Sequence, residues 1–247
     1  MRALLAIPVY NEQRYVTSVL GRVRAHIRDV LVIDDGSTDE TPSLLARAKV
    51  DVIRHAENRG YGRAMLGAFR WACVDRYDWV VTMDCDEQHE PEAIPDFLRE
   101  IERGSCDVVS GSRYLTRSAL DDCPPADRRA INATITRELN ARLGLGITDA
   151  FCGFKAYRVS SVNQLDLSED GYAFPMQFWV RAARAGLRIK EIPVRLIYAD
   201  LNRSFGGPLD DAEVRLAYYR EVLARELASS DEPGVPRVAR SEACCKR

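Results

Sequence analysis

No uninterrupted apolar stretch of transmembrane length occurs in the 247 residues, so nothing in the pattern reads as a membrane span. Neither sign of charge is in excess, with 35 Lys and Arg against 37 Asp and Glu. A nucleic-acid partner held by bulk positive charge is therefore excluded. Histidine is scarce. His26, His55 and His89 are too far apart in sequence to read as a ligand set, and His89 reads as a surface or supporting residue. The seven cysteines include no Cys-x-x-Cys, and Cys244-Cys245 sit in a polar tail. An odd count without a secretory leader points to a reducing compartment, and so to the cytoplasm. Residues 1–8 have too short an apolar run and no cleavage site, and read as a buried strand. Glycine-rich turns are missing too. Pro8-Val9-Tyr10-Asn11-Glu12 follows the first strand, and Gly60-Tyr61-Gly62 lacks a third glycine. Both observations argue against a dinucleotide site.

What is present is an alternation of short β-rich apolar runs with helical patterns. It predicts strands over 4–9, 30–33, 50–53, 79–83 and 107–110. Between them it predicts helices over 12–26, 61–74 and 91–103, and one capped by Ser37 or Thr38 that runs to about 49. The second half is less regular. Helices are expected over 126–143, 175–185 and 210–228, and strands over 154–158 and 189–198. Val214, Leu216, Tyr219, Leu223 and Leu227 form an apolar stripe that reads as core packing. The β-α-β-α order implies an α/β fold, a mostly parallel sheet flanked by helices. We take 1–228 as one domain and 229–247, which is small, charged and Pro/Gly-rich, as a disordered tail.

The most informative stretch is Val80-Val81-Thr82-Met83-Asp84-Cys85-Asp86-Glu87-Gln88-His89, where an apolar run ends in two carboxylates. The end of a buried strand is the sheet edge at which open α/β folds bind ligands. Two close carboxylates repel unless a cation or proton lies between them. Asp84, Asp86 and Gln88 offer hard oxygen donors suited to Mg²⁺ or Mn²⁺ shared with substrate phosphates. The blander reading is a strand followed by a helix with acids in its first turn. The second strand ends in Asp34-Asp35-Gly36-Ser37. That is a tight turn with a carboxylate able to accept hydrogen bonds from a base or ribose.

In order and spacing these segments, with Asn58-Arg59-Gly60-Tyr61-Gly62, Gly111-Ser112-Arg113-Tyr114 and the run from Asp149 to Arg158, resemble the family 2 glycosyltransferases. The resemblance is closest to the dolichyl-phosphate or polyprenyl-phosphate mannose synthase branch and covers residues 3–225. It implies a GT-A fold, a nucleotide-sugar donor and a divalent metal. It further implies that Pro8, Tyr10, Glu12 and Asp35 line the nucleoside pocket with Asn58 nearby. Asp84 and Cys85 would contact the donor, and Asp86 and Gln88 would hold the metal on its diphosphate. The acceptor would attack with inversion.

The resemblance also matches Arg113 to an arginine that grips an acceptor phosphate, and Arg128 or Arg129, with Asn132 one helical turn on, could complete that grip, since bidentate Arg–phosphate contacts suit it. Arg128 and Arg129 also read as a solvated helix start. Arg203 stands in the late basic loop, whose usual lysine is missing here, and could reach a diphosphate. Asp149 sits where related enzymes place a base; here it either serves as one or positions the acceptor loop. The favoured expectation is a cytoplasmic, metal-dependent transferase moving a hexose from GDP-mannose, or next UDP-glucose, to a polyprenyl phosphate, with peripheral membrane contact left open. The alternatives are a soluble transferase acting on a small-molecule or saccharide hydroxyl with Asp149 as base, and a non-catalytic nucleotide-sugar-binding protein.

Overall fold

The computed structural model describes residues 1–198 and 204–229. Arg203 and the expected disordered tail from 230 onward, with Cys244-Cys245, lie outside the described residues.

Seven strands form one sheet: β1 (Ala3–Val9), β2 (Val30–Asp34), β3 (Asp51–Arg54), β4 (Trp79–Thr82), β5 (Val108–Ser112), β6 (Lys155–Arg158) and β7 (Ile189–Pro193), in the order β3-β2-β1-β4-β6-β5-β7. All neighbouring pairs are parallel except those of β6, which runs antiparallel between β4 and β5. Side chains alternate across a strand, and this divides the core in two. Leu4 and Ala6 of β1 join a cluster with α3 (Tyr61–Val74), α5 (Ala126–Leu143), α7 (Phe174–Arg184) and α8 (Ala212–Ala228). Leu5, Ile7 and Val9 join a second cluster, with α1 (Val16–Val23), α2 (Thr41–Leu45) and α4 (Ile94–Glu102). Each fully buried aliphatic side chain contributes about 1.5–3 kcal/mol to that burial. Among the described residues no helix is long and apolar enough to cross a membrane.

Three local expectations need correction. Neither Ser37 nor Thr38 caps the helix expected to follow them. Asn11 Oδ1 accepts the main-chain N–H of Thr38 at 2.8 Å, and Ser37 Oγ accepts that of Asn11 at 2.9 Å. These bonds tie the turn to the loop after β1, so α2 begins only at Thr41, whose N–H is met by Asp39 at 2.9 Å. The strand expected over 189–198 stops at Pro193. Beyond it, Leu196 and Tyr198 donate their N–H groups to Asp121 and Asp122 instead of a strand. A short helix, α6 (Val159–Val162), escaped the pattern altogether. The α8 stripe packs inward at Tyr219 and Leu223, whereas Val214 is exposed.

Candidate active site

Parallel strands deliver their carboxyl ends to one edge of the sheet, and a cavity of about 600 Å³ opens there. From β1 it receives Pro8, Tyr10 and Glu12; from β2 and the loop after β3, Asp35 and Asn58. The loop after β4 contributes Asp84, Cys85, Asp86 and Gln88. On the far side are Arg113, Arg128 and Asn132. Arg129 is exposed and off the cavity wall, and Asp149 is fully buried behind Arg113.

The β2 end is built by its own carboxylates. Asp34 Oδ1 accepts the N–H of Ser37 at 2.9 Å, closing the turn. Asp35 accepts the N–H groups of Arg59 and Gly60 at 2.9 and 2.8 Å and faces His55 Nδ1 at 2.6 Å. Asp35 thus fixes the loop that presents Asn58. Gly36 has φ of 77°, and a Cβ there would come within 2.3 Å of the Glu57 backbone, so only glycine lets these loops meet.

The β4 end is set by His89, which is 4% exposed. Its Nδ1 accepts the N–H of Asp84 at 3.0 Å. A nitrogen that accepts carries no proton, so the 3.7 Å approach of Asp84 Oδ2 to that same nitrogen is not an ion pair. Burial pushes the His89 pKa down to about 4, against the pull of Asp86. Asp86 Oδ1 accepts the N–H of Gln88 at 3.1 Å, and Glu87 takes a left-handed φ of 59° to form this turn. Gly153 permits the approach of Asp84: a Cβ there would stand 2.5 Å from Asp84 Oδ2.

Among the described residues no group of three or more His, Cys, Asp or Glu side chains forms a metal cage. The donors at hand are carboxylate and amide oxygens, Asp86 and Gln88, on the cavity wall. That set fits Mg²⁺ or Mn²⁺, which usually take one or two protein ligands and complete their shell with water and substrate phosphate.

The β5 end carries Arg113. It holds Asp149 from its main-chain N–H at 3.2 Å, Nε at 2.7 Å and Nη2 at 3.0 Å. Asp149 also accepts from Asn132 Nδ2 at 2.8 Å and from the N–H groups of Phe151 and Cys152, both at 3.1 Å. Burial alone would raise this carboxyl's pKa, but the Arg113 charge and these donors hold it well below the usual carboxylate range. Glu191 braces the same turn, accepting from Thr148 N, Thr148 Oγ1 and Asp149 N. Lys155, 3% exposed, lines the cavity as well, and sequence reasoning missed it.

A loop closes over this end. The Phe205 ring lies between the guanidinium groups of Arg128, 4.9 Å from its centroid, and Arg215, at 4.5 Å. Asp210 anchors the loop by accepting from Ser204 Oγ at 2.6 Å and Phe205 N at 2.7 Å.

With this geometry in place, likenesses to known proteins become informative. The family model described as "Glycosyl transferase family 2" matches residues 5–166. An undecaprenyl-phosphate mannosyltransferase of Micrococcus luteus is 35% identical over 87% of this chain and 93% of its own. A polyprenol monophosphomannose synthase of Mycolicibacterium smegmatis is 33% identical over 87% of this chain and 86% of its own. The structure of glucosyl-3-phosphoglycerate synthase from Mycobacterium tuberculosis, in complex with Mn²⁺, UDP and glucosyl-3-phosphoglycerate, superposes with a TM-score of 0.71 at 18% identity, over 92% of this chain and 80% of that one.

Proposed function

This chain belongs to glycosyl transferase family 2 and has the GT-A fold, and we propose that it transfers a hexose, mannose first, from a nucleotide-diphosphate sugar to a polyprenyl phosphate. The observation that carries the acceptor is the state of Asp149. Its two oxygens already accept six hydrogen bonds. A carboxylate has about four lone-pair sites, so Asp149 has no capacity left to take a proton from a hydroxyl. A phosphate acceptor needs no base, because its oxygen is already anionic. Two relatives that match over most of the chain are named for prenyl-phosphate mannosylation, and this supports both acceptor and sugar.

In this reading Pro8, Tyr10, Glu12, Asp35 and Asn58 receive the nucleoside, and Asp84 and Cys85 meet the donor's diphospho-sugar. Asp86 and Gln88 would hold a divalent cation, which when bound offsets charge on the leaving nucleoside diphosphate. Arg113, with Asn132 and Arg128, orients the acceptor phosphate so that its oxygen attacks the anomeric carbon opposite the leaving group, with inversion. Asp149 keeps Arg113 in place. In this reading residues 1–228 are one catalytic domain that works in the cytoplasm and meets its lipid substrate at the membrane surface.

The test is a transfer assay with radiolabelled GDP-mannose and UDP-glucose, offering a polyprenyl phosphate and the corresponding free polyprenol. Product from the phosphate alone is expected. Product from the polyprenol, or from neither lipid with either donor, would overturn the reading.

A further inference from the structure

The Arg113 guanidinium is neutralised by Asp149, 2.7 Å from its Nε. A phosphate brought into a water-poor cavity needs net positive charge as well as hydrogen-bond donors. The arginine–aspartate pair supplies donors but almost no net charge. Arg128, half-buried on the cavity wall, brings one positive charge, and Lys155 brings a second that is fully buried. The placement of Lys155 follows from the one antiparallel strand, because the first residue of β6 lies at the carboxyl edge of both neighbours. Lys155 pairs with Thr82 of β4, two residues before Asp84, and with Ser110 of β5, three before Arg113. The lysine therefore stands between the carboxylate loop and the arginine.

Lys155 lines the cavity at 3% exposure, and its ammonium lies 5.4 Å from the Trp179 ring centroid. An ammonium has three donors. Among the described residues Nζ donates only to the carbonyl of Cys152, itself on the cavity wall. Burial draws the Lys155 pKa down, against the charge of Asp149 and Asp84. Such an ammonium has two further donors that an anionic oxygen in the cavity can accept.

We propose that Lys155 is a phosphate-binding residue of the acceptor subsite, its ammonium facing the acceptor's phosphate oxygens opposite Arg113. This rests on the phosphate-acceptor reading above. The acceptor is favoured over the donor diphosphate by strand order: the proposed nucleoside wall lies at the ends of β1, β2 and β3, whereas Lys155 opens β6 and Arg113 follows β5, beyond the β4 loop.

The test compares Lys155→Met, which keeps the apolar stem, and Lys155→Arg, which keeps the charge, with the wild type. Lys155→Met should raise the acceptor KM by about ten- to a hundred-fold, the range for a lost hydrogen bond to a charged group, with donor KM unchanged. Lys155→Arg should recover most of that loss. Inorganic phosphate should raise the wild-type melting temperature in the presence of nucleoside diphosphate, and should not do so for Lys155→Met. An unchanged acceptor KM, or a defect confined to the donor KM, would overturn the assignment. If Lys155→Met does not fold, Lys155→Arg and inhibition of the wild type by inorganic phosphate decide: competition against acceptor supports the subsite, and competition against donor overturns it. The phosphate melting shift needs no lipid substrate, so it separates failure of the subsite from failure of the lipid reading.

Discussion

Asp149 and Arg113 hold one another through three hydrogen bonds, the shortest 2.7 Å from Arg113 Nε, with Asp149 wholly shielded from solvent. In the proposed reading the pair positions Arg113 for the acceptor phosphate. Replacing one member of a buried pair typically costs about 3–5 kcal/mol. Asp149→Asn should therefore lower the melting temperature and raise the acceptor KM, because Arg113 loses its orientation. The pH profile of kcat should keep its shape, since no titrating base is lost. A base would behave otherwise: kcat would fall by about 10²–10⁴ with acceptor KM preserved. Steady-state kinetics across pH decide between the two.

His89 ties proton uptake to folding. The unfolded chain protonates it near 6.5 and the folded protein only near 4, because the buried ring must stay neutral. Between those values unfolding takes up a proton, so stability falls as pH drops, by up to about 1.4 kcal/mol per pH unit. Asp149 works in a separate window. Its folded pKa is depressed, so the stability it contributes is present above the ordinary carboxylate range and is lost only as pH falls below it. His89→Asn keeps an acceptor for the Asp84 N–H and removes the titrating ring. Denaturant melts of the two proteins from pH 7 to pH 4 should show a steeper fall in the wild type, because the depressed carboxylates near pH 4 act in both proteins and the His89 contribution in the wild type alone. Equal slopes would mean that His89 is protonated in the fold.

Much of this site was legible because it lies at strand ends. The apolar run before Asp84 and the turn at Asp34-Asp35-Gly36 each announce a carboxyl edge, and the structure brings both to one cavity. Lys155 was not legible. Lys-Ala-Tyr-Arg looks like a short strand with charged ends, and its burial arises only because β6 is inserted antiparallel between β4 and β5. The saturation of Asp149 was hidden for a similar reason. The N–H groups of Phe151 and Cys152 belong to its own turn, but the side-chain donors Arg113, after β5, and Asn132, on α5, reach it only through the fold. His55 had no legible role because its partner, Asp35, is brought to it by the pairing of β2 with β3.

Metal dependence should appear as a property of nucleotide binding. Asp86 and Gln88 alone make a weak cation site, and the diphosphate would complete it. In thermal shift, GDP or UDP should raise the melting temperature with Mn²⁺ and much less with EDTA, as expected for a ligand bound only by the native state. Asp86→Ala should abolish the Mn²⁺-dependent part while leaving the melt without nucleotide nearly unchanged, because this side chain is part of a half-buried loop. A shift of the same size in EDTA would show that the nucleotide is held without a cation.

Phe205 ties its loop to the cavity wall that carries Arg128, which the proposed reading assigns to the acceptor. Its ring lies between Arg128 and Arg215 and meets Tyr172 edge-on at 5.4 Å. Arg215 is itself 3% exposed and bonded to Asp127 at 2.6 Å, so it cannot follow the ring if the loop lifts. Arg128, less buried, can. A cation–π contact is worth about 0.5–2 kcal/mol, enough to bias Arg128 toward the cavity. Phe205→Ala should therefore raise the acceptor KM about three- to ten-fold, by loss of a contact of that size, with little change in the melting temperature. Phe205→Trp should retain wild-type values, since an aromatic face is what the arginines read. If alanine and tryptophan behave alike in the acceptor titration, the ring is a packing element of the loop and does not position Arg128.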